Sequence, residues 1–126
     1  MAGPYTLIPG TPIKLLDAAT TGTGGVLELQ GKIARLTIVA QGSGTISTGA
    51  VSLEEAFYDN LPPAGFESHG VPYTGTWSVI STVTGSALTT GAQQIFHIQG
   101  SVFAFRPRIT TAIAGGGSMT IWAYGN

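Results

Sequence analysis

Cysteine is absent from the 126-residue chain, and charged residues are scarce. Without thiols the chain can form neither disulfides nor thiolate metal sites. Charged side chains make up 9% of the residues, against roughly 25% in an ordinary soluble domain. The surface must therefore be built largely from Gly, Ser, Thr and amide side chains. At this length, one domain with its own hydrophobic core is expected.

The charge balance and the lack of long apolar runs exclude further classes. The chain has five basic and six acidic residues, a net charge of -1, and only Arg106 and Arg108 among the basic residues are close together. A nucleic-acid-binding protein would show a basic patch or stripe, so we expect no nucleic-acid partner. No apolar run is long enough for a membrane helix, and Met1–Tyr5 does not resemble the start of a signal peptide. We therefore expect no membrane partner and a protein made in a cytoplasm.

Helical periodicity is nearly absent, and the one candidate for a helical turn is the segment SLEEAFY, Ser52–Tyr58. Elsewhere, runs of Val, Ile, Thr and aromatic residues are separated by Gly and Pro, which is typical of short antiparallel strands. We therefore predict an all-β fold over residues 1–126: a single-domain β-sandwich or jelly roll of about eight strands, with a small barrel left open. The predicted strands are Tyr5–Ile8 with Ile13–Leu16, Val26–Gln30, Lys32–Gln41, Thr45–Phe57, Gly75–Thr84, Gln94–Gln99, Val102–Ile113 and Met119–Tyr124.

Alternation within these strands predicts which side chains face the core, since successive side chains point to opposite sides of a sheet. Three sets are each predicted to share one face: Ala34, Leu36, Ile38 and Ala40; Trp77, Val79, Ser81 and Val83; and Met119, Ile121 and Ala123, taken as inward. Trp122 and Tyr124 then face outward, where two large aromatics are a liability for a monomer. Either another subunit covers them, or the faces of this strand are inverted.

The segment from Gln94 to Ile113 cannot be one strand with one buried face. Its large apolar residues stand first on even and then on odd positions: Phe96 and Ile98, then Phe103, Phe105, Ile109 and Ile113. Because a one-residue slip moves every side chain to the other face, a break or bulge is predicted at Gly100. Arg106 and Arg108 then lie on the outer face.

Two further predictions concern the end of the chain. Pro107 lacks a ladder donor, so its strand should lie at an edge or be irregular there. The pattern also predicts a terminal hairpin, in which the turn Gly115–Gly117 joins the strands Ile109–Ala114 and Ser118–Tyr124.

An irregular loop, Tyr58–Thr74, interrupts the strand rhythm. Its 17 residues include three prolines, and structureless loops of this length are uncommon in compact domains and often functional. Its large side chains should pack on the sandwich or on a neighbouring molecule. The predicted interface residues are therefore those of the loop and of the outward strand faces: Tyr58, Leu61, Phe66, Tyr73, Arg106, Arg108, Trp122 and Tyr124.

No pattern in the chain indicates a catalytic centre, a metal site or a cofactor site. Asp59, Glu67 and His69 share the loop, but their spacing matches no known metal site. Glu54 and Glu55 are adjacent, so in a strand they point in opposite directions and cannot flank one bond. The glycine-rich turns lack the lysine and the helix of a phosphate loop. We therefore predict a non-enzyme. Sugar stacking on exposed aromatics is left open, with four candidates: Trp77, Trp122, Tyr73 and Tyr124.

The C-terminal third resembles the end of small virion proteins of tailed bacteriophages. The resemblance lies in LTTGAQQIFHIQG (Leu88–Gly100), FRPRIT (Phe105–Thr110) and GGGSMTI (Gly115–Ile121). Two earlier segments, LLDAAT (Leu15–Thr20) and GTW (Gly75–Trp77), look similar as well. The chain departs from the pattern at Pro107 and in the long loop.

The resemblance implies a non-enzymatic structural protein of a bacteriophage virion, assembled in the host bacterial cytoplasm. The commonest role at this size is that of a capsid decoration (cement) protein, which binds the assembled shell between capsid subunits. Its expected partners are the major capsid protein or another virion protein, and a second or third copy of itself in a dimer or trimer. The alternative is a tail or head-fibre component that binds a host-surface glycan or receptor.

Overall fold

The computed structural model describes residues 5–6, 9–29, 33–56, 77–101 and 104–125. Within these ranges the chain forms nine β-strands, and a 3₁₀ segment, Gly85–Gly91, stands between the sixth and the seventh. The strands are β1 (Tyr5–Thr6), β2 (Ile13–Ala19), β3 (Leu27–Glu28), β4 (Ile33–Ser43), β5 (Thr48–Ala56), β6 (Trp77–Thr84), β7 (Gln93–Ser101), β8 (Ala104–Ala114) and β9 (Ser118–Gly125). The predicted loop Tyr58–Thr74 lies outside the described residues.

The strands form two sheets, a five-stranded sheet in the order β1-β3-β8-β5-β6 and a four-stranded sheet in the order β2-β9-β4-β7. Their antiparallel pairs are nested, because β5 pairs with β6, β4 with β7, β3 with β8 and β2 with β9. A long two-stranded ribbon wound over itself gives this order, which is that of a jelly roll. The all-β prediction of about eight strands is confirmed, and the strand order is the part that sequence left open.

The hydrophobic core fills the space between the two sheets. From the four-stranded sheet, Leu36, Ile38 and Ala40 on β4 point inward together with three residues of β9, as alternation predicts.

 These inward neighbours on β9 are Met119, Ile121 and Ala123, and all three are fully buried. The five-stranded sheet contributes a matching inner face, whose buried residues are Val51, Leu53, Val83, Phe105, Ile109 and Ile113. The shared face predicted for Leu36, Ile38 and Ala40 and the inward face predicted for β9 are therefore confirmed, and the alternative with the faces of β9 inverted is wrong.

The conflict between even and odd apolar positions is resolved by a change of sheet. Phe96 and Ile98 are half-buried against the core from β7, whereas Phe105 is buried from β8 in the opposite sheet. The break does not lie at Gly100, which has a φ of +136° and still pairs with Ala34 in an unshifted ladder. The ladder of β7 continues to its last residue, so the prediction of a break or bulge at Gly100 itself is wrong.

Pro107 does not mark an edge strand, because β8 lies between β3 and β5. Its carbonyl accepts a hydrogen bond of 2.8 Å from Gly24 N–H. The amide side of a strand residue points the same way as its carbonyl, so the missing donor faces the irregular segment that precedes β3. β8 pairs with β5 without a register shift at Pro107, so the predicted edge position and the predicted irregularity of this strand are both wrong.

The terminal hairpin is also wrong. β8 belongs to the five-stranded sheet, whereas β9 pairs with β2 and β4 in the four-stranded sheet. Gly115 and Gly116 have φ angles of +110° and +101°, which suit glycine and carry the chain across the sandwich rather than back along β8. Local turn signals cannot distinguish a hairpin from a crossing to the other sheet, because both begin with a glycine-rich turn that reverses the chain.

The helical turn lies elsewhere than predicted. Ser52 belongs to β5, which continues as a strand to Ala56, and residues 57 and 58 lie outside the described part. Val51 and Leu53 both face the core, so the two-residue period prevails over the helical propensity of the Glu-Glu-Ala stretch. The 3₁₀ segment is Gly85–Gly91, which anchors itself in the core through buried Leu88.

The core predicts a large stability loss for Phe105→Ala. Phe105 is fully buried on the central strand β8, and a buried Phe→Ala change costs about 3–5 kcal/mol. Urea denaturation followed by circular dichroism measures this change in the free energy of unfolding. The control Thr111→Ala, at an exposed position of the same strand, should stay within about 0.5 kcal/mol of the parent. Equal losses in both variants would contradict the packing described here.

Candidate functional site

The outer face of the four-stranded sheet carries a row of side chains that crosses all four strands. Val39 on β4 lies opposite Trp122 on β9 and opposite Ile95 on β7, and Lys14 on β2 lies opposite Trp122. Cross-strand neighbours on one face contact each other, so these side chains form one continuous surface. We name it the Trp122 face, and it comprises the row together with its next neighbours on β4 and β9: Lys14, Thr37, Val39, Ile95, Trp122 and Tyr124.

The Trp122 face points to solvent, and apart from Lys14 and Thr37 its side chains are apolar or aromatic. Ile95 is 55% exposed and Tyr124 is 38% exposed, and the sequences of β4, β7 and β9 contain no acidic residue. The Lys14 ammonium lies 4.7 Å from the centroid of the Trp122 ring, close enough for a cation–π contact. The outward positions predicted for Trp122 and Tyr124 are confirmed.

An open groove lies at one end of this face, beside the indole of Trp122. Its volume is about 570 Å³. Three glycines and six larger residues line it: Lys14, Gln41, Ser43, Thr90, Thr120 and Trp122. The lining combines an aromatic ring with hydroxyl, amide and ammonium groups and contains no carboxylate. Such a set can stack on a sugar ring and hydrogen-bond its hydroxyls, but it lacks the two carboxylates that glycoside hydrolysis uses.

A buried carboxylate organises the outer face of the five-stranded sheet. Glu54 is only 2% exposed, and it accepts a hydrogen bond of 2.9 Å from Arg106 Nε and one of 3.1 Å from Arg108 Nε. The guanidinium of Arg106 also lies 4.2 Å from the centroid of the Trp77 ring. The structure thus brings Arg106 and Arg108 together on an outer face, as predicted, and engages both in ion pairs within the sheet.

A bulge changes the predicted face of Trp77. The register between β5 and β6 shifts between Leu53 and Glu54, so that Leu53 pairs with Ser81 and Glu54 with Val79. The extra residue, Ile80, reverses the alternation. Val83 faces the core, whereas Val79 is 56% exposed and Trp77 reaches Arg106 on the outer face. The prediction that these residues of β6 share one face is therefore wrong.

The remaining candidates of the sequence are separated in space or lie outside the described residues. Glu54 and Glu55 do point in opposite directions, because Glu55 lines a cleft between the sheets. His97 is exposed, and its Nδ1 lies 3.4 Å from Thr37 Oγ1. Within the described ranges no three His, Asp or Glu side chains cluster as metal ligands would. Seven predicted residues lie outside those ranges: Tyr58, Asp59, Leu61, Phe66, Glu67, His69 and Tyr73.

Two features of the site were not predicted from the sequence: the ion pairs of Glu54 and the groove beside Trp122. Glu54 meets Arg106 only through the pairing of β5 with β8, and the groove needs β2, β4 and β9 side by side. One signal for the ion pairs was available: Glu54 follows the apolar positions Val51 and Leu53 in its strand, and the Arg-Pro-Arg segment supplies two candidate partners. Buried charges are generally paired.

The chain was compared with protein-family models, with curated protein sequences and with solved structures, and none of them matches it. Among the described residues, no helix has the length and apolarity needed to cross a membrane. The resemblance to phage virion proteins stays a prediction.

The ion pairs of Glu54 predict that Glu54→Gln destabilises the fold. The amide keeps the shape of the side chain but leaves the two guanidinium groups without their countercharge, at a cost of about 2 kcal/mol. The control Asp17→Asn removes the exposed ion pair of 3.4 Å with Lys14, which should cost no more than about 0.5 kcal/mol. Chemical denaturation of the three proteins gives both values. A neutral Glu54→Gln change would contradict the structural role of the ion pairs.

Proposed function

We propose that the chain is a non-enzymatic structural protein of a bacteriophage virion, a capsid decoration protein that binds the assembled shell through the Trp122 face. The observation that carries the proposal is the outward Trp122, which stands in one apolar surface with Tyr124 and Ile95. Protein interfaces are enriched in aromatic residues, and their cores are depleted of charge. The Trp122 face contains two aromatic residues, and its one charged residue, Lys14, lies on the edge strand β2.

The sheet beneath this face favours binding. The strand that carries Val39 is hydrogen-bonded on both sides, since β4 pairs with β7 and with β9. Because the backbone is already ordered, docking costs little conformational entropy. A protein that binds the assembled shell but not its free subunits stabilises the shell by mass action. Many copies bound between neighbouring subunits would oppose the outward pressure of packaged DNA.

The jelly-roll strand order supports the proposal by analogy. This fold occurs in viral capsid proteins and in lectins, and a fold alone does not determine function. The analogy is therefore compatible with a shell protein and with a sugar-binding protein, and the surface residues must distinguish the two.

The decoration role predicts that Trp122→Ala loses shell binding. Mature particles from a phage that lacks the gene are mixed with purified protein, sedimented, and assayed for bound copies. The parent should bind at a fixed number of copies per capsid subunit, and Trp122→Ala should bind about tenfold more weakly or worse, as expected for an aromatic hot spot. Trp77→Ala, a matched change on the outer face of the other sheet, should bind like the parent.

Two results would overturn this role. One is a parent protein that does not bind mature particles, and the other is a Trp122→Ala variant that binds them as well as the parent does. Circular dichroism of each variant establishes that it is folded before binding is measured.

The groove beside Trp122 favours a second candidate, a tail or head-fibre component that binds a host-surface glycan. Gln41 and Thr120 are paired across β4 and β9 and offer an amide and a hydroxyl next to the indole. Gln41→Ala separates the two functions, because Gln41 lines the groove but is not part of the Trp122 face. Glycan binding on an array that is lost in Gln41→Ala would favour this candidate, whereas an array with no bound glycan would exclude it.

A further inference from the structure

The two open sides of the sandwich are built differently. On one side β1 and β2 are the edge strands of the two sheets, and on the other side β6 and β7 are. An edge strand presents unpaired backbone N–H and C=O groups to its surroundings. Proteins that remain monomeric protect such edges with short strands, bulges, charges or proline.

The side formed by β1 and β2 is protected. β1 has only two residues, and β2 shows two register shifts against β9. β2 also carries Lys14 and Asp17, and its Ala18 has a φ of +47°. A short strand on one sheet and an irregular, charged strand on the other leave no regular edge on which a further strand could pair.

On the side formed by β6 and β7, the described residues leave β7 without this protection. β7 has nine residues, and it pairs with β4 over nine consecutive positions without a register shift. Neither β6 nor β7 contains a charged residue or a proline. Three of the four exposed large apolar residues in the described part of the chain lie here: Val79, Ile80 and Ile95.

The free backbone groups of β7 can be assigned to particular residues. Gly42 N–H donates to Ala92 C=O at 3.2 Å, so the pair formed by Gly42 and Ala92 is a hydrogen-bonded pair of the antiparallel ladder. Hydrogen-bonded pairs alternate along such a ladder. The even residues of β7 therefore bond to β4, and three central odd residues direct their N–H and C=O groups away from it: Ile95, His97 and Gln99.

We infer that a second copy of this chain pairs with β7, antiparallel and across a two-fold axis, so that the two four-stranded sheets become one sheet of eight strands. A strand without charge meets its own copy without like charges opposite each other. A two-fold contact buries the same patch on both copies and closes the assembly as a dimer. β7 is the pairing strand rather than β6, because the bulge at Ile80 interrupts β6.

The surface on this side is large enough for a dimer. A nine-residue strand is about 30 Å long at about 3.3 Å per residue. Two sheets packed about 10 Å apart present a side roughly 20 Å thick, which gives roughly 600 Å² per copy and reaches the lower limit of stable interfaces, about 1,200 Å² in total. A cleft of about 300 Å³ between the sheets opens on this side. Four apolar residues line it, Leu53, Ile80, Phe96 and Ile98, together with the polar side chains of Glu55, Ser81 and His97.

The inference does not depend on the virion role, because it concerns the isolated chain. It is tested by light scattering on the eluate of a size-exclusion column, over a wide range of protein concentration. The parent should be a dimer. Ile95→Pro removes one outward donor from each copy and should weaken dimerisation about tenfold or more. It should leave the β4 ladder intact, since Pro is tolerated where an edge N–H faces outward.

Two further variants complete the test. Ile95→Lys keeps every backbone donor but places a charge on the edge strand, and it should also shift the chain to a monomer; it decides the test if Ile95→Pro fails to fold. Thr111→Lys adds the same charge at an exposed position of the central strand β8 and should remain a dimer. A monomeric parent, a trimer, or a dimer that survives Ile95→Lys would overturn the inference.

Discussion

The structure depends on one constraint: every strand must present one face to a core that two sheets share. The constraint explains why the apolar residues of β7 and β8 stand on positions of opposite parity, with Phe96 on one strand and Phe105 on the other. Each set faces the same core from its own sheet. It also determines the outer surface, because neighbouring residues of a strand face opposite ways: the inward Ile121 places the next residue, Trp122, on the outer face. The exposed aromatics are thus a consequence of a well-defined core.

Much of the fold could be predicted because the side-chain period of a strand is local. Alternation alone predicted the buried set around Ile38 and the outward position of Trp122. The errors concern what alternation does not contain. The chain crosses the sandwich at Gly115 instead of forming a hairpin, and a single bulged residue, Ile80, reverses the face of Trp77. Both depend on strand pairing between residues distant in the sequence.

Of the candidate site, the face on which a side chain lies could be predicted, but its contacts across strands could not. Arg106 and Arg108 were placed on an outer face, but Glu54, which binds both, is distant in the sequence and meets them only through the β5–β8 register. The docking face is the outer side of the four-stranded sheet, and the β7 edge lies in the plane of that sheet. Ile95 contributes its side chain to the first and its backbone groups to the second, so one copy can contact a shell and a second copy at the same time. Two linked copies would bind a repetitive shell more tightly than one, because the second attachment becomes intramolecular.

The most direct test of the central claim is a cryo-electron microscopy map of the mature particle. We expect jelly-roll density on the assembled shell at sites between capsid subunits, with the indole of Trp122 at the contact with the shell. Mature particles without such density would contradict it, as would density in which the Trp122 face points into solvent and the chain is attached by its other sheet.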